Sequence, residues 1–570
     1  MSSDETSKKF DPSFLVWATV AVALLILIVN PVYYLIQESF LISEEEGGGW
    51  TLQNFVTAFT TEEHLIPIYW TLIVSILVGT LSLLVGAILA WCVSRTDIPF
   101  PGMIRNSVLI SFVTPPFLGA IAWIFLAGPR MGWLNIIYRG IFGLGPDSYL
   151  FDIFTISGLV FSMTLFNFPL VFIVVLAGLN NISSDVEDAA NIAGGGTFST
   201  MLNITLPLAL PALCAGFILA LLEAMILFGI PNVLAIPAGI EVMTTQLRSF
   251  MVAEDDMLGI ASAYSLPMLA TAFFLVYIRR YILGRRGYAT IGGKGGQRRP
   301  QVLGFWRIPV FMLCLLPIIC SVVLPSFMLI STSFLNTIGY GLQISNLTFD
   351  NYRFIFSNDA FIISLKNTII LAILASTLCT LIAAVSAYIT QRQLVKGHKY
   401  ISFLATAPIG IPGIVLAIGL FSAYTKEPFL LYGTLWIMML AYVTKYMPLA
   451  FQTSNAGLMN IHFELEESCR ILGASRFRVF KDITIPLFKV SLIASWILVF
   501  MPCLRELSAS IMLWTTDTKV ISVVIMDFYE EALLGQISAI AVVLLSLTLI
   551  AVFSGFRFVG RDFMQAREKN

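Results

Sequence analysis

Twelve runs of about twenty or more mostly apolar residues dominate this sequence, near 13–37, 67–92, 105–127, 155–179, 208–234, 258–283, 306–332, 362–390, 400–424, 430–457, 487–514 and 534–558. A membrane-crossing helix needs ~20 such residues, and hydrocarbon admits only elements that satisfy their own backbone. The runs therefore predict an all-α polytopic membrane protein with about twelve transmembrane helices. Composition agrees: 58% of the 570 residues are hydrophobic and 12% charged, against ~25% charged in a soluble domain. The first run is longer than the roughly 7–15 residues of a signal-peptide core and no A-x-A site follows it, so it reads as a retained helix.

Charge placement predicts sidedness. Residues 38–66 hold Glu38, Glu44, Glu45, Glu46, Glu62 and Glu63 and no Lys or Arg; residues 279–307 hold Arg279, Arg280, Arg285, Arg286, Lys294, Arg298, Arg299 and Arg307 and no Asp or Glu. Positive residues stay inside, which puts the second segment in the cytoplasm, the first outside, and both termini inside with Lys8, Lys9, Arg557, Arg561, Arg567 and Lys569. The net charge of −1 gives no reason to expect nucleic acid. Cys92, Cys214, Cys314, Cys320, Cys379, Cys469 and Cys503 form no C-x-x-C pair, so neither a disulfide framework nor a zinc site is indicated and packing roles are expected. His64, His398 and His462 lie outside the runs and far apart, read as solvated loop residues. No catalytic constellation and no metal site is expected.

The chain repeats once. Thr51-Leu52-Gln53-Asn54-Phe55 matches Thr348-Phe349-Asp350-Asn351-Tyr352, 297 residues on; Asp188-Ala189-Ala190 with Gly194, Ile204 and Pro207 matches Glu467-Ser468-Cys469 with Gly473, Ile483 and Pro486, 279 residues on. The first half thus holds 18 more residues in between, expected in the external stretch 128–152 with a short helix around Trp133–Ile141. Six helices separate the copies, so they are parallel repeats: a first half 1–283, a Gly- and Arg-rich cytoplasmic linker 284–305, and a second half 306–570.

Between the fourth and fifth helices of each half lies a cytoplasmic loop, 181–207 and 460–486, with the pattern [DE], five residues, G, nine residues, I-x-[LI]-P. Val186, Ala189, Ala190 and Ala193, like Leu465, Ser468, Cys469 and Leu472, recur at helical spacing and predict a short helix with a small, apolar stripe. Ser184 and Glu187 suit a capping box. Gly194 and Gly473 suit the positive φ of a helix end, and Pro207 and Pro486 suit the start of the next helix. The first loop has no Lys or Arg, while the second has Arg470, Arg476, Arg478 and Lys481, so two unequal docking surfaces are expected.

The paired loops resemble the EAA loops of type I ABC importer permeases, whose pattern is EAA, three residues, G, nine residues, I-x-L-P. The resemblance implies that family's fold. It also implies coupling helices that dock into ATP-binding subunits, with Asp188 and Glu467 as acidic contacts and Gly194 and Gly473 as turns. Asp188 replaces Glu, and Ser468-Cys469 replace Ala-Ala. The stretches from Glu223 to Pro231, Ile236 to Gly239, Thr244 to Gln246, Arg505 to Ser508 and Asp517-Thr518 look like the ferric-iron branch of fused two-half permeases, which has relatives for thiamine and phosphonates.

The motor is expected elsewhere. Residues 287–295 depart from the G-x-x-x-x-G-K-[ST] phosphate loop in spacing and in the Gly that follows Lys294. No soluble stretch approaches the ~100 residues of such a domain. ATP and magnesium would bind two copies of a separate ATPase, and a periplasmic or lipid-anchored binding protein would deliver solute to this bacterial inner-membrane chain, ferric iron before thiamine, phosphonate or polyamine. Glu223, Arg505 and Glu506, charged within or beside apolar runs, are candidates for the substrate path or for a packing ion pair. An ion-gradient-driven secondary transporter would also use repeats and buried charges, but needs no paired docking loops.

Overall fold

Apolar runs that find no hydrogen-bonding solvent in lipid must close their bonds within themselves, and the chain is helical almost throughout. The computed structural model describes residues 12–42, 48–253, 257–285, 300–340 and 343–559. Lys8, Lys9, Glu44–Glu46, most of the linker with Arg286, Lys294, Arg298, Arg299 and the segment 287–295, and Arg561, Arg567 and Lys569 lie outside those residues.

In the first repeat the principal helices are α1 (Leu15–Glu38), α2 (Glu62–Arg95), α3 (Pro101–Val113), α4 (Pro116–Ala127), α5 (Trp133–Phe142), α6 (Ile156–Asn180), α7 (Ser184–Ile192), α8 (Met201–Ile226), α9 (Gly229–Leu234) and α10 (Leu258–Leu283). The second repeat supplies α11 (Gly304–Ser333), α12 (Asp359–Gln391), α13 (His398–Gly410), α14 (Gly413–Tyr424), α15 (Leu435–Met459), α16 (Phe463–Ile471), α17 (Phe480–Leu504), α18 (Ser510–Leu513) and α19 (Leu534–Ala551). Among the described residues nine of these are long and apolar enough to cross a membrane, or eleven with the bent pairs α3–α4 and α13–α14. The run predicted at 430–457 is α15, a continuous helix whose apolar run is interrupted by Thr444, Lys445, Gln452 and Asn455, and it is not among the nine.

Two predicted continuous helices are broken. The chain bends by 99° between α3 and α4 at Pro115-Pro116, and by 111° between α13 and α14 at Pro412. Proline has no N–H to donate and pushes its predecessor out of the helical region, so apolarity alone concealed both corners. The fifth run also stops early. Leu227 is extended after α8, and every residue of α9 is buried, so Gly229-Ile230-Pro231 follows a break inside the fold.

The repeat is legible in atoms. Asn54 donates to the carbonyls of Ser39 and Leu41 at 3.2 and 2.8 Å, and Asn351 donates to those of Ser333 and Leu335 at 3.1 and 2.9 Å. Each asparagine pins the chain leaving one helix to the short helix that leads into the next. Helices α4 and α14 keep the 297-residue offset and α6 and α15 the 279-residue offset. The extra 18 residues therefore fall in 128–155, against 425–434 in the second repeat, and they include α5.

Two compact units form, and their bounds differ from those of the repeats. One gathers residues 39–362 and 524–545. Its centre is α2, α6 and α8, brought close by small residues: a Cβ on Gly86 would meet the backbone of Phe168 and Phe172 at 2.9 Å, and one on Gly178 would collide with the Cβ of Ala212. Phe311, Cys314 and Ile318 of α11 join this core beside Leu89, Cys92 and Val108. The other unit gathers 1–38, 363–523 and 546–570. There α15 lies on α17, with Gly457 against Ser491, and α1 lies on α14, with Gly419 against the carbonyl of Pro31. The seven cysteines are free, and Cys92, Cys314, Cys379 and Cys503 are buried.

Candidate coupling site

Both predicted loop helices form, at identical length and 279 residues apart, as α7 and α16. Gly194 and Gly473 end them at φ +89°, with no atom within 4 Å of where a Cβ would stand, so the left-handed backbone rather than crowding calls for glycine there. The N–H after each glycine returns to the helix, from Gly195 to the carbonyl of Ala190 and from Ala474 to that of Cys469. A wide turn follows in each, Met201–Thr205 and Phe480–Thr484, where the N–H of Leu206 and of Ile485 reaches back five residues. Pro207 and Pro486 lie just beyond; a ring that clashes with the preceding turn and gives no N–H favours such widening.

The stripes face outward. Val186 and Leu465 are 45% and 48% exposed, Ile192, Ile471 and Leu472 85% or more. Ala189, Glu467 and Ser468 are exposed, and Asp188, Ala190 and Cys469 half-buried.

What anchors each helix is the acidic residue before the predicted one. The Glu187 carboxylate turns inward to Arg95 at 3.1 Å and accepts from the Thr205 hydroxyl at 2.7 Å. Arg95, the last residue of α2, also donates to the carbonyls of Leu179 and Ile182 at 2.7 and 3.3 Å. In the second repeat Glu466 pairs with Arg392 at 2.9 Å and accepts from Thr484 at 3.1 Å and Tyr388 at 3.3 Å, while Arg392 donates to the carbonyl of Ile461 at 3.2 Å. The pairs Arg95/Arg392, Glu187/Glu466, Thr205/Thr484 and Ile182/Ile461 obey the repeat offsets of 297 and 279. That arithmetic was available in the sequence and would have found them.

Of the three path candidates, Glu506 is fully buried. It receives the Lys445 ammonium at 2.7 Å, the N–H groups of Ala509 and Ser510, and the Ser510 hydroxyl at 2.8 Å, so it caps α18 as well as pairing. Arg505 is half-buried at the break after α17, in the same unit; Glu223 is exposed on the last turn of α8, in the other. The first repeat has Leu227 at the position of Glu506: the Thr244 hydroxyl donates to the Leu227 carbonyl, as that of Ser522 does to the Glu506 carbonyl. By the 279 offset, Phe166 stands where Lys445 does.

Residues 395–560 match the family described as the binding-protein-dependent transport system inner membrane component. The chain is 26% identical over 471 residues to the ferric transport system permease protein FbpB of Actinobacillus pleuropneumoniae, covering 80% of this chain and 65% of that one. It is 24% identical over 490 residues to the Fe(3+)-transport system permease protein FbpB 2 of Haemophilus influenzae, covering 85% and 87%. Over 242 residues it is 24% identical to the spermidine/putrescine transport system permease protein PotC of Escherichia coli K12, covering 42% of this chain and 89% of PotC, a match the size of one repeat. The family match over 395–560 and the similarity to ferric transport permeases along most of the chain support a type I ABC importer permease of the ferric branch, with two permease halves fused.

Proposed function

We propose that this chain carries ferric iron inward by alternating access, driven by two copies of a separate ATPase that seat α7 and α16, with ATP and magnesium on those partners. The observation that carries the reading is the pairing of exposed apolar side chains, Ile192, Ile471 and Leu472, with a buried ionic anchor directly beneath each helix. A surface both apolar and held in place suits a partner's socket. Asp188 and Glu467 are the acidic contacts, Ala189, Ala190, Ser468 and Cys469 the close-approach surface, and Gly194, Gly473, Pro207 and Pro486 set the turn and the return. Halves 1–283 and 306–570, joined by the linker 284–305, each bring one loop.

The charge asymmetry favours both termini and both loops on the cytoplasmic side of a bacterial inner membrane, with a binding protein delivering solute from the other side. Glu223 and Arg505 are assigned to the path. Kinship to permeases named for ferric iron supports that solute, and kinship to PotC supports a polyamine as the second reading. The test is ATP-dependent uptake of labelled ferric iron into proteoliposomes holding the chain, its ATPase and its binding protein, beside a Glu467→Lys variant. Uptake that requires ATP and collapses in the variant supports the assignment. Uptake without ATP overturns it, and coupling-sensitive ATP hydrolysis with spermidine uptake instead of iron moves it to polyamines.

A further inference from the structure

A docking helix moves a membrane helix only if something stiff joins them. In each repeat the joint is a three-part latch: Arg95, Glu187 and Thr205, or Arg392, Glu466 and Thr484. The arginine stands at the end of α2, or immediately after α12. The carboxylate is the fourth residue of the loop helix, and the threonine closes the wide turn that opens α8 or α17. One carboxylate oxygen in each half, Oε1, thus gathers three elements. The arginine's remaining N–H groups hold a fourth by donating to carbonyls in the 179–182 turn or at Ile461. Both arginines and both glutamates are nearly excluded from water, where charges attract more strongly and an unpaired one is costly.

We propose that these latches are positioning residues that convey the loop helices' motion to the membrane helices. They act beneath the docking surface without touching the partner. The inference rests on the proposed import function and assigns the transmission to Glu187 and Glu466, neighbours of the acidic contacts. A merely structural role would lower the amount of assembled protein and scale both activities together. A transmitting role changes their ratio.

The experiment measures ATP hydrolysed per iron taken up in proteoliposomes of the full complex, for the parent, Glu187→Gln, Glu466→Gln and the double variant. Expected is a rise of at least about fivefold for each single variant, the lower end of typical intersite coupling, with the ATPase still co-purifying. In the double variant, hydrolysis continues while uptake is lost. An unchanged ratio overturns the proposal even if both rates fall. Should the glutamine variants fail to accumulate, Thr205→Val and Thr484→Val remove one donor each, and the same ratio decides.

A second readout needs no partner: spin labels at the exposed positions Ala193 and Leu472 in the full chain in nanodiscs. Glu187→Gln should mobilise only the first label and Glu466→Gln only the second; unchanged spectra overturn the latch. A parent complex with no ATP-driven uptake counts against the import reading alone, because the labels still judge whether the carboxylates hold the loop helices.

Discussion

At the scale of single residues, the buried carboxylates Glu187, Glu466 and Glu506 each have a basic partner. Glu506 has no exposed side-chain area and receives the Lys445 ammonium at 2.7 Å. Lys445→Met should cost about 3–5 kcal/mol, as breaking a buried pair from one side does, seen as a fall in the thermal unfolding midpoint in detergent. The first repeat shows the remedy, since it builds the same corner with Phe166 and Leu227. Lys445→Phe with Glu506→Leu should recover most of the lost midpoint; a double variant no more stable than Lys445→Met would mean that the pair is not the origin of the loss. Gly194→Ala and Gly473→Ala meet no neighbour but must hold φ near +89°, costing roughly 1–2 kcal/mol each. Faster proteolysis confined to the altered loop should report it.

At the scale of elements, periodicity and apolarity marked the helices and the loop pattern marked α7 and α16, yet corners and contacts were hidden. A bend of 99° or 111° depends on where proline interrupts bonding, while an average over twenty residues sees only hydrophobicity. Glu187 was legible as an acidic residue in a first turn, which suggested a cap; only the position of Arg95, 92 residues earlier in the chain, shows that the carboxylate turns inward. The clamp on α2 has a further tie. Gln301 accepts from the N–H of Asp97 and donates to the carbonyl of Arg95 at 3.1 and 2.9 Å, and the Asp97 carboxylate accepts from the N–H of Leu303 and lies 3.8 Å from Arg307. Asp97→Ala should free the start of α11 from the end of α2. Cleavage by trypsin at Arg307 is then expected to accelerate several-fold, with cleavage at Arg353 as the internal control; equal acceleration at both would deny the tie.

At the scale of the whole molecule, the sequence repeat and the compact units divide the chain differently, and the difference has a physical consequence. Residues 1–38 belong to a unit built mainly from 363–523, and α11 belongs to one built mainly from the first repeat. Gly419 lets α1 approach the backbone of α14, and Thr444 donates to the carbonyl of Leu27 at 3.0 Å. In the other unit the Trp123 indole donates to the carbonyl of Cys320 at 3.1 Å, and Phe311 and Cys314 sit in the core. No hydrophobic pattern could announce this exchange, because in lipid an apolar helix reads the same whichever neighbour it meets; small residues and a few hydrogen bonds choose the neighbour. The exchanged helices are then expected to hold the halves together without covalent fusion. Coexpressed as 1–292 and 293–570, they should co-purify through a tag on either fragment. Removing residues 1–38 from the first fragment strips one exchanged helix and leaves the α11 contacts, so recovery should fall without vanishing. Substituting Gly419→Leu in the second fragment should reproduce that fall, because the added side chain meets the carbonyl of Pro31. Fragments that separate fully in mild detergent, with α1 and α11 both present, would show that the linker rather than the exchanged helices joins the halves.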